Sequence, residues 1–299
     1  MSAGGPFPAQ ETDRMTISRC TLLACLGVVV ALSLGSLAGC VNAPQAERSS
    51  PSKAMARSAA ASVSDDVVTT SDESDVRKRA RIRLELATAY FAQGQLTTAL
   101  DELKHVLAID GRMSEAHELR GLIYSAMNEP ALADESFKRA IQLDERNGSA
   151  IHNYAWWLCS KQRYPEADAF FERAANLPQS IATSKTLMAR GVCQVRAGLL
   201  PEAEKSLARS YELDVTNPAT AYNLSAVLYR RGEYERARFY IRRVNNIPEQ
   251  ITPESIWLGA RVENRMGNVG GRDELAGILR SRFPNSREAT ALELGRFDE

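Results

Sequence analysis

The 299-residue sequence carries no bulk charge, since 37 lysines and arginines balance 37 aspartates and glutamates. A chain without a net field has no long-range pull toward nucleic acid, and no nucleic-acid partner is expected. Only three histidines are present, His105, His117 and His152, and none stands at metal-ligand spacing from another histidine or a cysteine. There is no glycine-rich phosphate loop and no G-x-S-x-G turn. Acidic residues fall mainly where helices would face water. No catalytic residue, metal site, cofactor or small-molecule substrate is therefore assigned, and an enzyme is not expected. Glycine, proline and aromatic residues are modest in number, whereas 44% of the chain is hydrophobic, enough for a large core. The composition suits a soluble, helical chain and says no more.

The N-terminus departs from that composition. Residues 1–14 resemble no targeting segment, but after Met15 and the basic Arg19 comes the uncharged run CTLLACLGVVVALSLGSL. This is a secretory layout with Met15 as the expected start, at the lower edge of a membrane-spanning length. Residues 1–39 are read as this extension and signal. The run ends in Leu37-Ala38-Gly39-Cys40, which resembles the bacterial lipobox. That resemblance implies cleavage before Cys40, acylation of Cys40 (palmitate among the chains), and, with Val41 rather than Asp at the next position, retention at the outer membrane. An uncleaved anchor helix with a chance cysteine is the alternative. Acyl chains contribute roughly 0.8 kcal/mol per buried methylene, so several make a durable membrane anchor. Residues 41–76 are rich in Ser, Ala, Asp and Pro, too poor in aliphatic side chains to offset their ordering entropy. Together with Cys40 they read as a flexible tether of about 30 Å rms reach.

From residue 77 to 286 the sequence repeats itself every 34 residues. Ala87, Gly121 and Ala155 form one column; Tyr90, Tyr124 and Leu158 a second; Ala99, Ala133 and Ala167 a third; Leu103, Phe137 and Phe171 a fourth; Val106, Ala140 and Ala174 a fifth. Such a period reads as stacked helix–turn–helix units. Small residues mark where two antiparallel helices cross closely, and large ones fill the space a turn away. The pattern resembles the tetratricopeptide repeat: small at position 8, aromatic at 11, Gly near 15, Ala at 20, aromatic or Leu at 24 and small at 27. Three units lie at about 80–113, 114–147 and 148–181. A fourth, at about 184–217, follows an insertion near Pro178-Gln179 and has Gln194 where the aromatic belongs. The fifth covers about 218–251 and the sixth about 253–286, where Arg272 replaces the alanine. The resemblance implies an all-α, right-handed α-solenoid of about six helix pairs, with residues 287–299 as a last short helix or extension without chemistry of its own.

Cys159 and Cys193 lie 34 residues apart, on the first helices of neighbouring units. Free buried cysteines and a disulfide stapling two repeats both remain open, the second favoured by an oxidising compartment. In tetratricopeptide arrays the first helices line a concave groove, with positions 2, 5, 9, 12 and 13 facing inward. Carried onto this sequence, those positions give an apolar N-terminal patch of Leu84, Phe91 and Leu122 beside Glu115 and Glu118. They also give Trp156 and His152 in the middle, and Tyr222, Tyr229 and Trp257 toward the C-terminus. Arg196, Arg230 and Arg265 all fall at position 13, where a column of guanidinium groups could clamp acidic side chains. Asn153 and Asn223 fall at position 6, where family members hold a peptide backbone. The competing readings are arginines paired with neighbouring helices, and an apolar patch used up in packing.

A lipoprotein built from six such repeats resembles the type IV pilus biogenesis and stability family, PilF/PilW. The resemblance covers nearly the whole chain after Cys40 and rests on architecture and repeat count. It implies pilotin activity: a protein-binding groove at the periplasmic face of the outer membrane that captures a segment of the pilus secretin, supporting its assembly and twitching motility. The alternative is another envelope scaffold, serving β-barrel assembly or peptidoglycan-synthesis regulation.

Overall fold

The computed structural model describes residues 75–177 and 183–297. Within them the chain forms only helices and turns. The signal run, Cys40 and most of the tether lie outside the described residues, as does the insertion at Pro178-Gln179. Six helix pairs follow one another: α1 (Asp75–Ala92) with α2 (Leu96–Ile109), α3 (Ser114–Ala126) with α4 (Pro130–Leu143), and α5 (Gly148–Ser160) with α6 (Tyr164–Ala175). Then come α7 (Thr183–Arg196) with α8 (Leu200–Leu213), α9 (Pro218–Arg230) with α10 (Tyr234–Asn245), and α11 (Pro253–Arg265) with α12 (Val269–Arg282). A 3₁₀ turn at Pro248–Gln250 leads into α11, and a short α13 (Arg287–Glu293) closes the array. Helix α1 begins at Asp75, so the last two residues of the expected tether are helical. An acidic side chain in a first turn favours that start.

Each hairpin turns at the same place for the same reason. Position 15 of every unit has positive φ: Gly94, Asn128, Gln162, Gly198, Gly232 and Gly267. The following residue donates its N–H to the carbonyl five residues back, as in Gln95 to Tyr90, Arg163 to Leu158 and Glu233 to Leu228. This closes each first helix with the left-handed residue that glycine adopts without steric penalty. The second and third units do it with Asn128 at φ 59° and Gln162 at φ 61°, positions where an L side chain is strained.

The small-residue columns are helix crossings. A Cβ on Gly121 would lie 2.8 Å from the Phe137 ring, and one on Gly191 would lie 2.5 Å from Leu207 Cγ. Four contiguous clusters run along the array, led by Leu103 and Ile123, Phe137 and Tyr154, Leu224 and Leu228, and Ile256 and Leu279. Gln194, standing where an aromatic was expected, is buried and accepts from Ser206 while donating to Asp168, which also holds Arg190 in a two-pronged pair at 2.8 Å. A satisfied polar network thus fills the aromatic slot between the third and fourth units. Glu263 occupies the same slot in the sixth unit and is paired with Arg238 and Arg242. Arg272, at the expected alanine position, is only partly buried and leans on Asp273, its Nε 2.8 Å from the carboxylate.

Candidate protein-binding groove

Successive first helices touch one another: α1 with α3, α3 with α5, α5 with α7, α7 with α9 and α9 with α11. Successive second helices make no comparable contact among the described residues. The first helices therefore lie on the shorter arc, and their outward-turned side chains line its inner face. Cys159 on α5 and Cys193 on α7 are bonded across that row, with Cα atoms 5.9 Å apart.

The predicted groove residues fall into three groups. At the N-terminal end, Leu84 and Phe91 are half-buried against the first core cluster, together with Tyr90 and Met113. Part of this patch is thus used in packing. Leu122 and Trp156 are half-buried against the second cluster. The Arg196 guanidinium lies 4.9 Å above the Trp156 ring, a cation–π contact joining the third and fourth units.

Between these lies a buried acid that the groove pattern treated only as a neighbour. Glu118 accepts from Ser149 Oγ at 2.5 Å, from Asn153 Nδ2 at 2.6 Å and from Asn147 Nδ2 at 3.4 Å. Burial pushes its carboxyl above the ordinary glutamate value despite these donors. Asn147 also caps α5 through the Ala150 N–H, so the acid ties α3 to the start of α5. The Asn153 amide donor is therefore engaged inside the protein. That of Asn223 is engaged too, with the Ala219 carbonyl at 2.8 Å. Both side chains are thus held in place by an internal acceptor. His152 faces Thr186 across the repeat boundary at 3.0 Å, and burial lowers its affinity for a proton. His117 is set by the Gly111 carbonyl in the same structural way.

The C-terminal group is the most concentrated. Tyr222, Tyr229, Trp257 and Arg265 lie on α9 and α11 together with Arg261, which the groove pattern did not single out. The Arg261 guanidinium sits 4.7 Å over the Tyr229 ring, and Arg265 Nε lies 3.4 Å from the Tyr229 hydroxyl. Burial raises the Tyr222 phenol above its ordinary value. Arg230 is exposed at the end of α9. Phe297 lies over this group: its ring centroid is 5.0 Å from that of Trp257, and its carbonyl accepts from Arg261 Nε at 3.1 Å and from the Tyr229 hydroxyl at 3.3 Å. The terminal stretch, expected to be inert, is thus part of the site. Its lone aromatic between Arg296 and two acidic residues was the available signal.

No group of three or more His, Cys, Asp or Glu side chains among the described residues is placed to hold a metal ion. No helix there is long and apolar enough to cross a membrane. What the geometry offers is a face of aromatic and guanidinium groups, which suits protein recognition. A helix-pair solenoid with such an inner face defines a tetratricopeptide-repeat protein, and the tetratricopeptide repeat family matches residues 114–147.

Comparison with known proteins narrows the class. The type IV pilus assembly protein PilF of Pseudomonas aeruginosa is 27% identical over 157 residues, 52% of this chain and 62% of PilF. The matched stretch thus spans less than two thirds of that relative's length. The solved structure of P. aeruginosa PilF overlays with a TM-score of 0.64 at 24% identity, covering 73% of this chain and 99% of that one. The crystal structure of PilW, described as a widely conserved type IV pilus biogenesis factor, gives 0.65 at 24% identity, covering 72% and 98%. The chain thus shares the tetratricopeptide-repeat fold of PilF and PilW and is similar in sequence to PilF.

Proposed function

We propose that this protein is a lipid-anchored, pilotin-like scaffold at the periplasmic face of the outer membrane, supporting type IV pilus biogenesis by binding a segment of the pilus secretin. The observation that carries the reading is the 157-residue likeness to PilF, far longer than a single generic repeat. Three features support it. The inner row of first helices presents Trp156, Arg196, Tyr229 and Trp257 in a form suited to holding a peptide. The Cys159–Cys193 bond fits an oxidising compartment. Leu37-Ala38-Gly39-Cys40 supplies an acylation site, although it lies outside the described residues.

The mechanism is physical. Acyl chains on Cys40 hold the array at the membrane, and the groove captures the secretin segment, raising its local concentration where assembly occurs. A strain lacking the protein should lose secretin multimers from the outer-membrane fraction and lose twitching. Normal multimers and normal twitching in that strain would sink the proposal. Cys40→Ser should shift the protein out of the outer-membrane fraction; unchanged fractionation would contradict the acyl anchor.

A further inference from the structure

The chain after α13 packs back onto α9 and α11 through Phe297. Helix α13 is anchored by two buried side chains, Ala289 and Leu292, against α11 and α12. Two residues past its end, Gly295 has a φ of 64° that reverses the chain while the Arg296 N–H closes onto the Ala291 carbonyl. That reversal delivers Phe297 to the inner face of α9 and α11. There its contacts have the form of peptide recognition: a main-chain carbonyl held by two side-chain donors, Arg261 and Tyr229, and a ring set against Trp257. Arg272 also approaches this ring, 5.9 Å from its centroid. Trp257, Arg261 and Arg265 stand at positions 5, 9 and 13 of the sixth unit, all inward positions. The anchoring is light for a permanent core element, because Leu294 is exposed and Phe297 itself is only half-buried.

We propose that the inner face of the fifth and sixth units is a binding site for an extended peptide carrying an aromatic residue followed by acidic residues, and that Phe297 occupies it as an internal stand-in that such a partner displaces. Charge complementarity picks out that chemistry. Arg261 and Arg265 both stand at Tyr229, Arg230 is exposed at the end of α9, and the sequence continues from Phe297 into Asp298 and Glu299. A tethered segment acts at an effective concentration on the order of millimolar, so an outside competitor's apparent affinity is reduced to the fraction of time the site stands open. The proposal rests on reading the inner face as a protein-binding groove. Whether the partner is a secretin is a separate matter, decided in the deletion strain rather than here.

The test is a fluorescence-polarisation titration of the full chain and its Phe297→Ala variant with a labelled, amidated peptide of residues 292–299. Phe297→Ala should bind at least tenfold more tightly than the unaltered chain. Adding Arg261→Ala, or replacing the peptide's phenylalanine by alanine, should abolish that binding. A chain ending at Gly295 gives the same readout with α13 intact, should Phe297→Ala disturb the last repeat. Equal affinity for the opened and unaltered chains, or no binding by either opened chain, would overturn the proposal. So would a concentration-dependent dimer that disappears in Phe297→Ala, since the segment would then serve a second copy of the chain.

Discussion

Replacing Gly191 by alanine sets two effects of opposite sign against each other. An alanine in a helix interior is favoured over glycine by about 1 kcal/mol on propensity alone. The new Cβ, however, would stand 2.5 Å from Leu207 Cγ, 3.0 Å from Leu207 Cδ2 and 3.2 Å from the Ala203 carbonyl oxygen. Leu207 is fully buried, so it has no free space to retreat into. Overpacking at such a site costs about 1–3 kcal/mol. The clash should win by about 1 kcal/mol, lowering the urea midpoint followed by circular dichroism at unchanged slope. A double-mutant cycle sharpens the test. Leu207→Ala alone should cost about 2–5 kcal/mol, yet combined with Gly191→Ala it removes the clashing side chain. The two changes should therefore couple by about 1 kcal/mol or more, in the sense that the double variant loses less than the sum. A Gly191→Ala chain with a raised midpoint, or strict additivity with Leu207→Ala, would refute the reasoning that close helix approach selects this column.

Gln162 holds φ 61° at a position glycine occupies in four other units, so Gln162→Gly should raise stability by about 1 kcal/mol and the melting temperature by about 2–4 °C; an unchanged or lowered melting temperature would contradict that strain. Replacing Cys159 and Cys193 together by serine opens a cross-link spanning 34 residues, for which loop-closure entropy gives a loss of about 3–4 kcal/mol in chemical denaturation. A loss below about 1 kcal/mol would show that the bond does not constrain the unfolded chain. Glu118 has a carboxyl raised above 4.5, so its charged form is penalised in the folded state at neutral pH, and the penalty fades as pH falls through the raised value. Relative to Glu118→Gln, the unaltered chain should gain thermal stability between pH 7 and pH 4.5. A pH-independent difference between the two would rule this out.

The period, the helix pairs and their approximate limits were legible because crossings and turns impose local, repeated demands. A crossing admits only short side chains, as at Gly121 beneath Phe137, and such a demand recurs in phase at every repeat. Asn128 and Gln162 escaped notice because they meet the same left-handed turn without glycine. Gln194 read as a departure and Glu263 drew no notice, yet each fills the aromatic slot with a partnered polar network drawn from other helices. The groove was legible as a set of positions and illegible as a set of free groups. Asn153 is claimed by Glu118, and Trp156 is claimed by Arg196. Phe297 lay beyond the periodic region, and its contacts with Tyr229 and Trp257, 68 and 40 residues upstream, follow from the reversal at Gly295 rather than from any repeating signal.

The proposed binding of a secretin segment to the inner row of first helices is open to a direct test. Site-specific photocrosslinking in cells making the pilus secretin tests it directly. A photoreactive residue at Leu122 on α3 faces the groove, whereas one at Leu132, exposed on α4, lies on the second-helix side. The account predicts secretin adducts from position 122 and none from position 132. Adducts from 132 alone, or equally from both, would contradict it.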